Sequence, residues 1–290
     1  MRRTAHAPLN PYTASMPRFA TVEKRVGETP LQALEAYRAS RAELGDTPMA
    51  YAGRLDPMAS GTLLLLIGEE CKRADAYLNL DKEYEFEVLL GYESDSGDVL
   101  GMPRECAIGP DVNDKAAQQA GRRLIGTHEL PYPAYSSKAV GGKALFQHAH
   151  DETLRDIEIP TRRMRVYRVD YLGSRTLSST TLVKEIIADI EQLHVTPQPK
   201  VKGTDFRKGE ILAAWKNRRL PGRTCVLLRY RAIVCSGTYI RSLAPLVARH
   251  LGTCGLARSI HRTALGRYYS PLGIGYWRPH FRHAQRRPAM

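Results

Sequence analysis

Along this chain the spacing of apolar residues switches repeatedly between a period of two and a period near four. Tyr84, Phe86, Val88 and Leu90 share one face of an extended segment, and Glu83, Glu85 and Glu87 share the other. This alternation predicts a strand over 84–91 with one buried side and one solvated or partner-facing side. The run Leu63–Ile67 predicts a buried strand near 62–67, and strands are expected over 164–172 and 224–235. Helical spacing begins after Thr29-Pro30-Leu31-Gln32, where Thr29 can cap, Pro30 fits the first turn and Gln32 completes a capping box. Leu31, Leu34 and Tyr37 then recur on one face, and Gly45 supplies a stop. A second helix is expected over 114–125 with Asn113 as cap. A third, over 181–193, places Leu182, Ile186, Ile190 and Leu193 together. Ser236–Arg241 opens a further helix ending near Gly252, with Pro245 predicting a kink or a late start. Strands and helices interleave and hairpin-like pairs occur, so a mixed α/β or α+β sheet protein is expected.

The 290 residues suffice for one large domain or two small ones, and neither an internal repeat nor a Ser/Gly linker divides them. Charge changes the picture more. Lys and Arg number 43 against 30 acidic residues, a net charge of +13, which favours polyanionic partners, nucleic acid foremost. The apolar runs are far too short to span a bilayer. Residues 1–20 carry Arg2, Arg3 and Arg18 and no acid. Pro8, Pro11 and Pro17 break the amphipathic helix that an organellar transit segment needs, so this stretch reads as a flexible basic arm. Residues 276–290, with Arg278, Arg282, Arg286 and Arg287, read as a flexible basic tail that adds phosphate affinity. The five cysteines (71, 106, 225, 235 and 254) are odd in number and lack two-residue spacing, which points to reduced thiols. His148 and His150 would share a face of a strand and read as solvated or RNA-facing, not as metal ligands.

The segment with most chemistry is Tyr51–Thr62, which sets Asp56 in a Gly- and Pro-punctuated loop just before a buried strand. Asp before Pro is also an ordinary turn starter. Gly53-Arg54-Leu55-Asp56-Pro57, with Ser60-Gly61 behind it, resembles the catalytic motif of pseudouridine synthases of the TruB family, and five further segments resemble that family in the same order. Lys24 to Pro30 is similar to its Lys-Pro-x-Gly-x-Thr opening, with Arg25 at the Pro position. Tyr51 and Ala52 stand where the Asp motif has His and Thr. Lys82-Glu83-Tyr84 looks like the family's Lys-x-Tyr strand, followed by the loop Asp95–Asp98. Leu130–Lys138, with Lys143 beyond it, resembles the Pro-x-Tyr-Ser segment. Cys235-Ser-Gly-Thr-Tyr-Ile-Arg241 is similar to a family motif one residue longer, and Ile260–Gly266 looks like the closing Leu-x-Arg-Thr-x-x-Gly.

The resemblance implies a pseudouridine-synthase fold over 21–275: α+β, with a central, mostly antiparallel sheet flanked by helices. It implies isomerisation of uridine to pseudouridine in RNA, without a cofactor, and most often at the T-loop uridine of tRNA. Asp56 would be the catalytic carboxylate. Tyr84 would stack on the target base, Arg241 would pair with Asp56, and Ile260 and Tyr51 would complete the nucleotide pocket. Lys24, Lys138, Lys143 and Arg262 would contact RNA. The expected partner is the T-arm of tRNA, bound by a cytoplasmic monomer with no membrane association. Only about twenty residues follow the last motif, so the PUA domain of most members is not expected. Two other readings stay open: a synthase acting on ribosomal or other RNA, and an RNA-binding or RNA-folding protein with catalysis lost. Asp56, Tyr84 and Arg241 together argue against the second.

Overall fold

The structure, a computed structural model, describes residues 16–107, 112–194, 205–218 and 222–283. The chain opens with strand β1 (Phe19–Lys24) and helix α1 (Pro30–Ala39), then β2 (Met49–Ala52), β3 (Ala59–Ile67) and α2 (Ala74–Leu78). The middle holds β4 (Asp81–Leu90), β5 (Tyr92–Ser94), β6 (Pro103–Glu105), α3 (Asp114–Arg122), β7 (Gly126–Pro131), β8 (Ala139–Val140), β9 (Lys143–Ala144) and α4 (Leu145–His150). Last come β10 (Thr161–Ser178), α5 (Ser179–Glu191), α6 (Lys208–Lys216), β11 (Thr224–Val234), α7 (Ile240–His250), β12 (Gly255–Tyr269) and β13 (Tyr276–Phe281).

Among the described residues the main sheet has nine strands, in the order β1-β3-β12-β4-β11-β10-β7, with β2 added to β3 and β13 to β12. Every pairing in it is antiparallel except that of β3 with β12, so the expected mostly antiparallel sheet is present. Alternation on β4 decides its two faces. Tyr84, Phe86, Val88 and Leu90 enter a core with Leu228, Tyr230 and Ala232 of β11, covered by α3 and α7. On the other face Glu85 and Glu87 form cross-strand ion pairs with Arg231 and Arg175, at 2.6 and 2.8 Å. That polar row gives way at Leu89, which joins a second core of Leu182, Ile186, Ile190, Ile211 and Trp215 from α5 and α6.

Local signals act as their chemistry requires. Thr29 and Gln32 form the capping box of α1, and Asn113 accepts from the Ala116 amide at the start of α3. Gly45, however, closes the separate turn Ala42–Leu44, and α1 itself ends at Ala39. Helix α7 starts only at Ile240 and carries Pro245 within it.

Three expectations need correction. Phe19 and Ala20, read as the end of a flexible arm, begin β1, while residues 1–15 of that arm lie outside the described residues. The basic tail is structured through Phe281: Tyr276–Phe281 pairs with β12, and Phe281 packs edge-on to Phe19 at 5.2 Å. Pro279 fits there because β13 has a partner on one side only. Cys106 and Cys254 are joined as a disulfide although 148 residues separate them, a proximity that spacing cannot reveal. Cys71, Cys225 and Cys235 are free.

Candidate active site

The parallel step between β3 and β12 builds the site. It sets Ala59 beside Ile260 and Gly61 beside Arg262, which brings the loop before β3 against the middle of β12. Gly61 has φ of +108°, and a Cβ there would overlap the Arg262 carbonyl, so the close approach of the two strands requires glycine. Asp56 lies in the turn between β2 and β3, where its carbonyl accepts from the Ala59 amide at 3.0 Å.

Arg241, in the first turn of α7, meets Asp56 from behind. Its Nε donates to Asp56 Oδ2 at 2.7 Å and its Nη2 to Oδ1 at 3.3 Å. The Arg241 side chain is 4% exposed, whereas that of Asp56 is 36% exposed, so the carboxylate faces outward from a buried cation. The guanidinium is fixed in turn by the carbonyls of Ser96 at 3.0 Å and Tyr135 at 3.3 Å. Burial opposes the Arg241 charge, but Asp56 and Asp98 outweigh it and hold the group above its ordinary value. Asp98 stands 3.8 Å from Nε and accepts from Ser96 Oγ and the Leu100 amide. Burial pushes the Asp98 carboxyl up, against the opposing pull of Arg241.

Asp56, Arg241, Tyr84, Ile260 and Tyr51 line one cavity of about 670 Å³, within the range of pockets that enclose a small ligand. Tyr84 and Ile260 are 8% and 7% exposed and belong to the sheet core as well, so they form its apolar floor. Tyr51 enters from β2, opposite Leu65. Tyr239 also lines the cavity, and its hydroxyl is pushed up by burial and by nearby Asp56.

Two residues expected to contact RNA are buried against the protein's own backbone, although Arg262 also lines the cavity. Lys24 is fully buried, and its Nζ donates to the carbonyls of Ala59 at 2.5 Å, Arg25 at 2.9 Å and Pro57 at 3.1 Å. Burial lowers its pKa to about 8. Arg262 is 1% exposed and donates to the carbonyls of Thr62 at 2.8 Å, Gly53 at 3.1 Å and Arg54 at 3.3 Å. These cations clamp the backbone on both sides of Asp56, because loop carbonyls buried between strands need donors long enough to reach them.

The other two basic residues lie elsewhere. Lys138 is exposed, with its Nζ 5.4 Å from the centre of the Tyr132 ring. Lys143, on β9, is ion-paired with Asp151 at 2.7 Å. The histidine expectation also changes: both lie on α4, and His148 is buried, with Nδ1 2.9 Å from Thr153 Oγ1 and Nε2 3.2 Å from the Val140 carbonyl. His150 lines the cavity. Sequence reasoning gave no role to Asp98, Lys82, Arg162 or Arg207, all on the cavity wall. A run Asp-Ser-Gly-Asp looks like any polar turn, and only the fold turns it toward Arg241.

The model for "TruB family pseudouridylate synthase (N terminal domain)" matches residues 41–185, half of the chain, and includes Asp56 and Tyr84. A tRNA pseudouridine synthase B from Xanthomonas euvesicatoria is 30% identical over 249 residues, covering 82% of this chain and 75% of that protein. One from Xanthomonas oryzae is 33% identical over 180 residues, covering 59% of this chain and 57% of that protein. A solved Cbf5-Nop10-Gar1 complex contains a chain of 18% identity with a TM-score of 0.49, covering 86% of this chain and 48% of that one. The matches thus span from about half to three quarters of the curated relatives' length. With the matched model reaching half the chain and a 30% identical relative covered over three quarters of its length, this chain belongs to the TruB family of pseudouridylate synthases.

Proposed function

We propose that this chain isomerises uridine to pseudouridine in tRNA, at the T-loop uridine, with Asp56 as the catalytic carboxylate. One observation carries the reading: a carboxylate on the wall of a nucleotide-sized cavity, gripped by a buried guanidinium and left open to the cavity. The isomerisation breaks the N1–C1′ bond of uridine and rejoins the uracil to the ribose through C5. N1 gains a proton and C5 loses one, so there is no net change in atoms or oxidation state. The step needs an ionised carboxylate close to C1′. Pairing with Arg241 favours that charged form and fixes its orientation. Asp56 can attack C1′ as a nucleophile or open a glycal route by taking the C2′ proton.

The detached uracil must be held while it turns. Tyr84 offers an aromatic face and Ile260 an apolar wall, which suits a base extruded from its stack and shielded from water. A loop is the natural substrate, because single-stranded bases can be splayed out and A-form grooves are hard to read. The net charge of +13 supports a polyanionic partner.

The test is incubation of the protein with an unmodified tRNA transcript and an isolated T-arm stem-loop, followed by chemical mapping of pseudouridine. Product at the T-loop uridine in both RNAs is the expected result. Product only in a ribosomal RNA fragment would move the activity to another RNA. No product in any RNA would defeat the catalytic reading.

A further inference from the structure

The cavity wall carries two cations that the isomerisation does not use. Lys82, on β4, is 5% exposed, and its Nζ donates to the Leu78 carbonyl at 2.8 Å and to Ser236 Oγ at 3.1 Å. Ser236 Oγ donates to the same Leu78 carbonyl at 2.5 Å. Arg162, on β10, donates from Nη2 to the Ser236 carbonyl at 3.1 Å and from Nη1 to the Tyr132 hydroxyl at 3.3 Å. Its guanidinium lies against Gly237, whose φ of +78° and missing Cβ leave the space. Both cations therefore converge on Ser236, and Lys82, Arg162, Ser236 and Gly237 all line the cavity.

What this cluster lacks is an anion. Among the described residues no carboxylate lies within ion-pair distance of Lys82 or Arg162. The acid next in sequence, Asp81, accepts from the Tyr268 amide at 2.8 Å and the Tyr167 hydroxyl at 3.2 Å. Burial, and then Arg262, lower the Lys82 pKa to about 7, and Asp81 and Cys235 offset them only in part. An almost fully buried ammonium has three protons to donate, and the neutral acceptors named take two of them. A partner suited to this cluster is small enough to enter the cavity and carries a negative charge that the two cations can share.

We propose that Lys82 and Arg162, joined by Ser236, form a phosphate subsite within the cavity that takes a phosphodiester flanking the extruded uridine. This rests on the reading that the cavity receives a nucleotide of RNA. A phosphate drawn to these cations would fix the backbone on one side of the base while Asp56 acts on the sugar. Positioning by backbone contact also fits a site that must accept a flipped nucleotide without reading its neighbours.

The experiment uses the Asp56→Asn protein, expected to bind without turnover, and measures Kd for T-arm stem-loops. One RNA is unmodified, and two carry a single neutral methylphosphonate linkage, 5′ or 3′ of the target uridine. Lys82→Met and Arg162→Gln are added singly. Each is expected to weaken binding of the unmodified RNA about tenfold. One of the two neutral linkages should cost the parent about as much, and should cost the Lys82→Met protein little more. Arg162 is only half-buried, and the methylphosphonate arm uses the parent chain, so the test survives poor folding of Lys82→Met. Additive losses from linkage and variant would overturn the subsite. So would a Lys82→Met loss that is equal for charged and neutral RNAs, which would place Lys82 on the base or ribose. A parent that binds RNA while both variants match it overturns the subsite alone. A parent that binds none of the RNAs overturns the RNA reading as well.

Discussion

Arg241 holds both carboxylate oxygens of Asp56, at 2.7 and 3.3 Å, across 185 residues of sequence. The grip is itself held, since the carbonyls of Ser96 and Tyr135 take two of the three remaining guanidinium protons. A planar fork sets the carboxylate plane as well as its distance, which a single ammonium cannot do. Arg241→Lys should therefore lower kcat about a hundredfold, equivalent to about 3 kcal/mol, with little change in RNA affinity. Steady-state kinetics on a tRNA transcript, alongside a melting curve, separate this from unfolding. Normal turnover would remove the Asp56–Arg241 pair from the mechanism.

Asp56→Asn keeps the size of the side chain and its place in the turn, but removes the charge proposed to act at C1′. Product should vanish while the affinity for tRNA stays within about threefold of the wild type, a difference below about 1 kcal/mol. Activity within about tenfold of wild type, a loss of only about 1.4 kcal/mol, would exclude Asp56 as the catalytic carboxylate.

The sequence displayed the elements whose signals are local. Capping at Thr29 and Asn113, alternation on β4 and the helical stripe of α5 depend on residues a few positions apart. The motif residues Asp56, Tyr84, Arg241 and Ile260 were legible as a set, and the fold brings them to one cavity. Lys24 and Arg262 show where reading from motif resemblance stops. A lysine or arginine near a binding motif looks like a phosphate contact, and only the parallel β3–β12 step reveals that these two are buried among loop carbonyls. The same limit hid the Cys106–Cys254 pairing and the pairing of β13 with β12.

That parallel step gives a prediction about stability. A methyl group on Gly61 would meet the Arg262 backbone, which has no rotamer with which to yield, and φ of +108° disfavours any L side chain. Gly61→Ala should destabilise the protein by about 3 kcal/mol or more and lower activity through the displaced Asp56 loop. Urea melts read the effect, and a midpoint unchanged from wild type would show that the two strands have room to part.

Truncations should separate structure from charge at the C-terminus. Ending the chain at residue 275 removes β13 and with it Phe281, which packs on Tyr77 and on the cluster around Leu265. A loss of about 3 kcal/mol is expected, the scale of deleting a packed Phe. Removing only 284–290 takes away Arg286 and Arg287 and should leave the melting curve unchanged. The slope of log affinity for tRNA against log salt should then flatten by up to about 2. An unchanged slope would assign these two arginines no phosphate contact.

Lys24 makes stability depend on pH in a defined window. Its folded pKa is about 8, against an ordinary value of 10.5, and burial is the main cause. Below pH 8 the group is charged in both states, and the cost of burying the charge is fully present. Between about 8 and 10.5 the unfolded chain keeps the proton and the folded chain has lost it. Unfolding then takes up protons, so stability rises with pH through this window. The rise attributable to Lys24 is at most about 3 kcal/mol. Lys82, lowered to about 7, adds a similar rise that begins earlier, and Tyr135 and Tyr167, pushed up to about 12, subtract stability above pH 10. Those contributions remain in Lys24→Met, so comparing the two proteins isolates Lys24. Urea unfolding from pH 7 to 10.5 should show a steeper increase in the wild type than in Lys24→Met. Parallel curves would mean that Lys24 keeps its proton when folded, and that the carbonyls of Arg25, Pro57 and Ala59 stabilise its charge as well as water does.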